Sequence, residues 1–296
     1  MAARSHSRLP ALAQLMRPRQ WPKNLVVLAA LIFTGRFTDG PSVLLALQAL
    51  FAFLLLSSSV YALNDALDAA SDRQHPEKRL RPVASGAVSP ALALALCALL
   101  GLLGLGLALS LGLAFLALAA AYLALQALYS LWGKRQVILD VFLLAAGFVL
   151  RAAAGGVALK AQVSAWLLLC ATLLALFLGL AKRRQEIALL KGAAGGHRAA
   201  LQEYSVELLD QMITITAAGA VVSYALFTFN AHTLGGQPLL MLTLPFVLFG
   251  IFRYLYLLHR RGMGGRPEEV LLTDRSMLLD LALWALACGL ILSRTH

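Results

Sequence analysis

Charge is scarce in this sequence. Only 13% of its 296 residues are Asp, Glu, Lys or Arg, whereas 60% are hydrophobic, and the mean hydropathy is +0.78. Soluble domains carry about 25% charged and about 45–50% apolar residues, so a soluble core of this size cannot hide so much apolar surface. The composition excludes a disordered chain, a collagen-like repeat and a secreted disulfide scaffold. It indicates an all-α, polytopic membrane protein.

Several other features are missing as well. The three cysteines lie in apolar stretches without metal-ligand spacing, and we interpret them as core residues. The sequence contains neither a Walker-type phosphate loop nor a Ser/His/Asp or Cys/His set. Because it also has no Gly/Ser linker, we expect a single domain over residues 1–296. Residues 1–23 are basic and lack an apolar run, so we expect a cytoplasmic N-terminal segment rather than a signal peptide.

Apolar segments long enough to cross a bilayer are abundant, and nine can be drawn along the chain. They cover residues 24–37, 42–67, 89–109, 112–131, 137–158, 164–182, 208–230, 238–258 and 276–293. The third and fourth segments nearly touch, which leaves room only for a tight turn between antiparallel helices. The sequence therefore predicts a bundle of about nine transmembrane helices.

Basic residues are distributed unevenly among the loops that join these segments. With nine spans, 20 of the 25 Lys and Arg residues fall on the side of the N-terminus and three on the other side. Cytoplasmic loops are enriched in Lys and Arg, so we expect the N-terminus in the cytoplasm and the C-terminus outside. In a membrane protein, the formal net charge of +11 indicates lipid headgroups or phosphorylated substrates as partners, rather than nucleic acid.

The acidic residues share the basic side, although the positive-inside bias does not explain them. Asn64, Asp65, Asp68 and Asp72 are spaced so that a helix places them on one face. Carboxylates on one stripe repel each other, and Mg²⁺ relieves such repulsion by binding one or two carboxylates together with water and substrate phosphate oxygens. This spacing predicts a Mg²⁺ site made by these four residues. The alternative is a charged helix end exposed to solvent.

A basic block follows the acidic stripe within ten residues and suits the remaining oxygens of a diphosphate. Its members are Arg73, Lys78, Arg79 and Arg81. His75 lies among them, and it either contacts a phosphate or ribose or structures the loop. An acidic stripe followed by a basic block is typical of a metal–diphosphate site.

The pattern Asn-Asp-x-x-Asp-x-x-x-Asp from Asn64, followed by Arg-Pro-x-Ala-Ser-Gly from Arg81, resembles the UbiA-type intramembrane prenyltransferase superfamily. Shorter motifs that begin at Arg17, His75, Lys182 and Glu203 resemble, more narrowly, its decaprenyl-phosphate phosphoribosyltransferase branch. The resemblance implies a cytoplasmic-side active site in a bacterial inner membrane, with Asp65, Asp68 and Asp72 as catalytic residues. It also implies a place in the synthesis of arabinan precursors for the cell wall.

A second polar region follows the sixth span, where relatives with aromatic acceptors usually carry a second aspartate-rich motif. This sequence instead has a basic cluster and looser acids, which suit an acceptor that is itself a phosphate. The candidate binding residues are Lys182, Arg183, Glu186, Tyr204 and Asp210. An amphipathic helix on the cytoplasmic surface is the alternative.

Three further basic residues are candidates for substrate binding. Lys23 and Lys134 lie at span ends, where each either contacts a phosphate or anchors its helix at the membrane interface. Arg151 lies deep in the fifth span, where charge is costly and usually faces a cavity or a partner. We expect a cavity or an ion pair around it.

Two reactions fit a metal-bound diphosphate leaving group, because the acidic stripe identifies the diphosphate and not its carbon skeleton. The first hypothesis is Mg²⁺-dependent transfer of a 5-phosphoribosyl group from phosphoribosyl diphosphate to a polyprenyl phosphate. The second is transfer of a prenyl group to an aromatic or lipid acceptor. A transporter of anionic solutes is the remaining alternative, although transport does not explain the clustered carboxylates. The sequence leaves a homo-oligomer open.

Overall fold

A computed structural model describes residues 8–74, 78–190, 203–230, 239–263, 270 and 273–293, and these form helices and turns without a strand. Eleven α-helices are numbered here in chain order. They are α1 (Arg8–Leu15), α2 (Ala29–Phe33), α3 (Gly40–Leu67), α4 (Ala69–Asp72), α5 (Pro90–Ser110), α6 (Leu113–Leu131), α7 (Leu139–Ala158), α8 (Ala165–Leu190), α9 (Val206–Asn230), α10 (Leu244–Arg261) and α11 (Arg275–Ser293). Short 3₁₀ helices join several of them, at Pro18–Leu28, Arg36–Thr38, Lys78–Leu80, Gly133–Arg135 and Leu239–Thr243. The predicted all-α class is confirmed.

Eight of these helices, α3 and α5 to α11, are long and apolar enough to cross a membrane, counted over the residues that the structure describes. The first predicted span, 24–37, differs from the other eight. It folds as the 3₁₀ helix Pro18–Leu28 followed by the five-residue α2. Pro22 lies inside that 3₁₀ helix and has no N–H to donate. The chain then turns at Gly35, whose φ is +69°.

Side chains cap the N-terminal ends of two of the spanning helices, α3 and α5. The Asp39 carboxylate accepts a hydrogen bond from the Ser42 amide at 3.0 Å. The Ser42 side chain and, to a smaller extent, this amide lower the pKa of Asp39. Ser89 caps α5 in the same way through the Leu92 amide at 3.2 Å. Gly112, with φ of +109°, makes the tight turn between α5 and α6 that the sequence predicts.

The first segment, Pro18–Phe33, packs closely on α7. A Cβ atom on Gly155 would collide with the carbonyl oxygen of Val27, so the two backbones are in direct contact there. Consecutive serines of α3 hold the same segment from the other side: Asn24 Nδ2 donates to Ser57 Oγ at 3.1 Å, and Trp21 Nε1 donates to Ser58 Oγ at 3.3 Å. The segment is therefore an integral part of the helix bundle.

Two apolar clusters form most of the interior. One joins the first segment to α3, α6 and α7 and centres on Phe53, whose ring contacts those of Phe115 and Tyr122 at centroid distances of 5.8 and 5.3 Å. The other joins α7 to α8, α9 and α10, with the rings of Phe177 and Tyr254 5.3 Å apart. Because α7 contributes to both clusters, it connects the two halves of the bundle.

Candidate active site

The acidic stripe lies where α3 ends and α4 begins. The Asp68 amide donates to the Asn64 carbonyl at 2.9 Å, and the Asp72 amide donates to the Asp68 carbonyl at 2.8 Å. The helical hydrogen-bond spacing therefore continues past the end of α3. Asp65 and Asp72 are buried, whereas Asn64 and Asp68 are partly exposed.

Each of the three carboxylates is paired with a cation from another segment. Asp65 binds Arg17, which precedes the first 3₁₀ helix, and lies 3.8 Å from Arg81 Nη1. The same Arg81 nitrogen is 2.6 Å from Asp72 Oδ2. Lys134 Nζ donates to Asp68 Oδ1 at 2.9 Å. Three basic side chains therefore balance the charge of the stripe.

Two of these cations, Arg81 and Lys134, are among the substrate-binding residues predicted from the sequence, whereas Arg17 is not. Arg81 reaches the acidic stripe as expected of a diphosphate-binding candidate. Arg17 was overlooked in favour of Lys23, although both belong to the same short motif. Its backbone is left-handed, with φ of +51°, which is uncommon for a residue other than glycine. No pattern in the sequence reports such a backbone.

Two other members of the basic block, Arg73 and Lys78, follow the stripe along the chain. Arg73 is exposed, and its Nε donates to the Ala84 carbonyl at 3.3 Å, which closes the loop between them. Lys78 is partly exposed and begins the 3₁₀ helix Lys78–Leu80. His75 lies outside the described residues.

The donor set of the stripe suits a hard cation, because it consists of carboxylate and amide oxygens. Over the part of the chain that the structure describes, no group of three or more His, Cys, Asp or Glu side chains is arranged to hold a metal ion. Mg²⁺ does not require such a cage, since it binds through one or two carboxylates together with water and substrate phosphate oxygens. The stripe therefore fits Mg²⁺ as a partner of a bound diphosphate.

The second polar region forms a buried ion cluster around Arg183, which is 2% exposed. Its Nε donates to Asp140 Oδ2 at 2.7 Å and its Nη1 to Glu186 Oε2 at 2.6 Å. Its Nη2 lies 3.4 Å from the Tyr129 hydroxyl, to which it donates. Arg183 therefore joins α7, α8 and the end of α6 and already has two carboxylate partners.

Tyr204 completes this cluster. Its hydroxyl donates to Asp140 Oδ1 at 2.9 Å and accepts a hydrogen bond from the Ile138 amide at 2.6 Å. Burial, together with the negative charge of Asp140, raises the pKa of Tyr204 well above its usual range. The phenol thus stays protonated and remains a donor to Asp140.

The outer part of the second region is a partly exposed ion bridge. Arg184 binds Asp210 with both Nε and Nη2, the latter 3.2 Å from Oδ2. His259 Nε2 approaches the same carboxylate at 3.2 Å, so α8, α9 and α10 meet here. Lys182 and Glu186 are partly exposed beside this bridge.

Arg151 is also buried, at 5% exposure. Its Nε donates to Asn24 Oδ1 at 2.9 Å, its Nη2 to the Tyr122 hydroxyl at 2.7 Å, and its Nη1 to the Gly147 carbonyl at 3.3 Å. The guanidinium carbon lies 4.7 Å from the Tyr122 ring centroid. The ion pair expected as one option is not found, because no carboxylate among the described residues pairs with Arg151.

Known proteins with similar sequences and folds point to one family. Residues 25–267 match the UbiA prenyltransferase family. The decaprenyl-phosphate phosphoribosyltransferase of Mycolicibacterium smegmatis is 35% identical over 286 residues, which cover 92% of this chain and 89% of that protein. The protein of the same name from Corynebacterium glutamicum is 34% identical over 282 residues, or 91% and 82% of the two chains.

A solved structure shares the fold. It is that of a UbiA homolog from Archaeoglobus fulgidus bound to GPP and Mg²⁺, with a TM-score of 0.73 and 20% sequence identity over 96% of this chain and 99% of that chain. The family match extends over more than half of the sequence, and the two relatives exceed 30% identity across nine tenths of it. The chain therefore belongs to the UbiA prenyltransferase family and is a multi-pass membrane transferase.

Proposed function

We propose that this protein transfers a 5-phosphoribosyl group from phosphoribosyl diphosphate to a polyprenyl phosphate of the decaprenyl type. The observation that carries the proposal is the 34–35% identity, over more than nine tenths of the chain, to relatives that are named for this activity. The paired acids and bases at the ends of α3 and α6 support it, because together they suit a bound diphosphate.

The reaction needs no general base. An anionic oxygen of the polyprenyl phosphate forms a bond to C1 of the ribose, and the bond between C1 and the diphosphate oxygen breaks. The electron pair of that bond leaves with the diphosphate, and the products are polyprenyl-phosphoryl-5-phosphoribose and diphosphate. Charge accumulates on the departing oxygens, so the protein accelerates the step by stabilising negative charge there.

The acidic stripe and its cations have complementary roles in this proposal. Asn64, Asp65, Asp68 and Asp72 would hold Mg²⁺, and the bound ion would supply positive charge to the departing diphosphate. Arg17, Arg81 and Lys134 exchange their carboxylate partners for diphosphate oxygens, for which their charges and N–H groups are suited. The pairs seen in the structure keep these cations near the stripe. Arg73, His75 and Lys78 are assigned to the remaining phosphate or ribose oxygens of the donor.

The acceptor phosphate is assigned to the partly exposed basic residues of the same rim. The candidates are Lys23 and Lys182. Glu186 and Asp210 orient the neighbouring basic side chains. The polyprenyl chain lies along the apolar outer faces of the helices, in contact with membrane lipid. From the loop charges we infer that this rim faces the cytoplasm and that the C-terminus lies outside, in a bacterial inner membrane. The whole chain acts as one domain, alone or as a homo-oligomer.

The decisive experiment incubates the purified protein in detergent with labelled phosphoribosyl diphosphate, decaprenyl phosphate and Mg²⁺. We expect label in the lipid phase, a loss of transfer on chelation, and loss of at least about 100-fold in Asp68→Ala. Asp39→Asn is the matched control, because it changes an acid at the other end of α3 and Asn also caps helices well. Transfer from a prenyl diphosphate to an aromatic acceptor, without phosphoribosyl transfer, would establish the alternative reaction instead.

A further inference from the structure

Arg151 differs from every other buried cation in the described residues. Two arginines are buried there, Arg151 and Arg183, and Arg183 has Asp140 and Glu186 as counter-ions. Arg151 has only neutral partners: an amide oxygen, a phenol and a backbone carbonyl. A buried charge without a counter-ion is costly and is kept in membrane helices where a ligand or ion passes. Its charge therefore needs an anion from elsewhere.

The donors around Arg151 are only partly used. A guanidinium has five N–H groups, and the three hydrogen bonds described above occupy three of them. The Tyr122 hydroxyl accepts from Arg151 and, within the described chain, donates to no other group. Two N–H groups and one O–H group therefore remain for an oxyanion at this position.

The depth of Arg151 relates it to the acidic stripe. Asn24 connects Arg151 to Ser57 of α3, and Ser57 precedes Asn64 by seven residues. At 1.5 Å per residue, the Arg151 layer lies about 10 Å further into the bundle than the start of the stripe. Both positions lie beside α3. The first segment supplies Asn24 to the deeper one, and Arg17, the residue before the segment, contacts the stripe.

The donor of the proposed reaction has two anionic groups, a diphosphate on C1 and a phosphate on C5. A prenyl diphosphate has only the first. The acidic stripe and its cations serve a diphosphate in either case, so they do not distinguish the two donors. A second, deeper cation without a carboxylate is what a donor with a second phosphate requires.

We propose that Arg151, with Tyr122 and Asn24, binds the 5-phosphate of the donor and so determines specificity for phosphoribosyl over prenyl donors. This inference rests on the proposed function. The chemistry of the site is that of a phosphate monoester, and the acceptor lipid also carries one, so the test must separate the two sources.

The test compares the wild-type protein with Arg151→Met and with Arg36→Met as a matched control. Arg36 is exposed and donates only to the Leu159 carbonyl, at 3.0 Å. Ribose 5-phosphate and inorganic diphosphate serve as separate probes of the two donor subsites, and their binding is followed by calorimetry and by inhibition of transfer. Calorimetry gives a result even where turnover is lost.

In Arg151→Met we expect the KM for phosphoribosyl diphosphate and the Kd for ribose 5-phosphate to rise by about 10- to 100-fold. Diphosphate inhibition and the KM for decaprenyl phosphate should stay within about twofold, and Arg36→Met should match the wild type. Arg151→Lys, which keeps the charge, should recover part of the loss and provides the comparison if the methionine variant fails to fold.

Three results would overturn the inference or the function separately. An unchanged Kd for ribose 5-phosphate in an active Arg151→Met protein overturns the inference alone. A selective rise in the KM for decaprenyl phosphate overturns it as well, by assigning Arg151 to the acceptor. A wild-type protein that binds neither phosphoribosyl diphosphate nor ribose 5-phosphate overturns both.

Discussion

The two buried arginines of the bundle, Arg151 and Arg183, are held in opposite ways. Arg183 lies among Asp140, Glu186 and two phenols, so its charge is neutralised within the protein. Arg151 is held at a fixed position by neutral oxygens that leave its charge uncompensated. The same residue type thus ties helices together in one region and attracts an anion in the other. Burial alone does not reveal which role an arginine has.

The largest expected effect is on stability when Arg183 is removed. Arg183→Met leaves Asp140 and Glu186 without their cation, and breaking a buried ion pair in this way costs about 3–5 kcal/mol. Arg151→Met leaves no carboxylate behind and should cost less. Thermal unfolding in detergent checks the difference, with Arg36→Met as the control. Equal losses of stability in Arg183→Met and Arg151→Met would contradict this prediction.

A second prediction concerns a variant in which Arg151, like Arg183, gains a carboxylate partner. Asn24→Asp places a carboxylate beside the guanidinium, because Asn24 Oδ1 already lies 2.9 Å from Arg151 Nε. The protein should remain as stable as the wild type or become more so, whereas the KM for phosphoribosyl diphosphate should rise about tenfold or more, since the charge is now neutralised. Kinetics and unfolding are measured on the same preparation. Asn24→Ser, which adds no charge, should raise this KM less, and an unchanged KM in Asn24→Asp would contradict the prediction.

The two tyrosines that contact the arginines offer a smaller comparison. Tyr204→Phe removes a donor to Asp140 and an acceptor for the Ile138 amide, and we expect a loss of about 1.5–3 kcal/mol, as for hydrogen bonds to charged groups. Tyr122→Phe also removes a hydrogen bond to a charged group, Arg151, but it removes only that one and should cost about 1.5 kcal/mol, the low end of the same range. The unfolding midpoints of the two variants show which substitution costs more stability. The reverse order would mean that the neutral network around Arg151 is the more important structural element.

The smallest expected effect concerns pH. Because the folded protein raises the pKa of Tyr204, the contribution of this phenol to stability is fully present below its unfolded value of about 10 and is lost only as the pH rises beyond it. The stability difference between wild type and Tyr204→Phe should therefore be constant from about pH 6 to 9. A difference that shrinks within this range would show that the phenol ionises earlier.

Much of the first site could be predicted from the sequence, because helical spacing alone brings Asn64, Asp65 and Asp68 to one face. For Lys134 the sequence indicated only a phosphate contact or a membrane anchor, and its contact with that face was not predicted. The contacts of Asp140 with Arg183 and with Tyr204 could not be predicted, since these pairs are 43 and 64 positions apart in the sequence. The break in the first span was also missed, because hydropathy does not register that Pro22 has no N–H group.

The close contact between Gly155 and Val27 has a consequence for the first segment. At Val27 the segment lies directly on the backbone of α7. Arg17 precedes the segment and Asn24 lies within it, so the segment fixes the distance between the two anion-binding positions. The six steps of 3₁₀ helix from Pro18 to Asn24 span about 12 Å, so the backbone sets this spacing. Inserting one residue between Arg17 and Asn24 would change the distance between the two anion-binding positions. It would thereby change the size of the molecule that can bind at both positions at once.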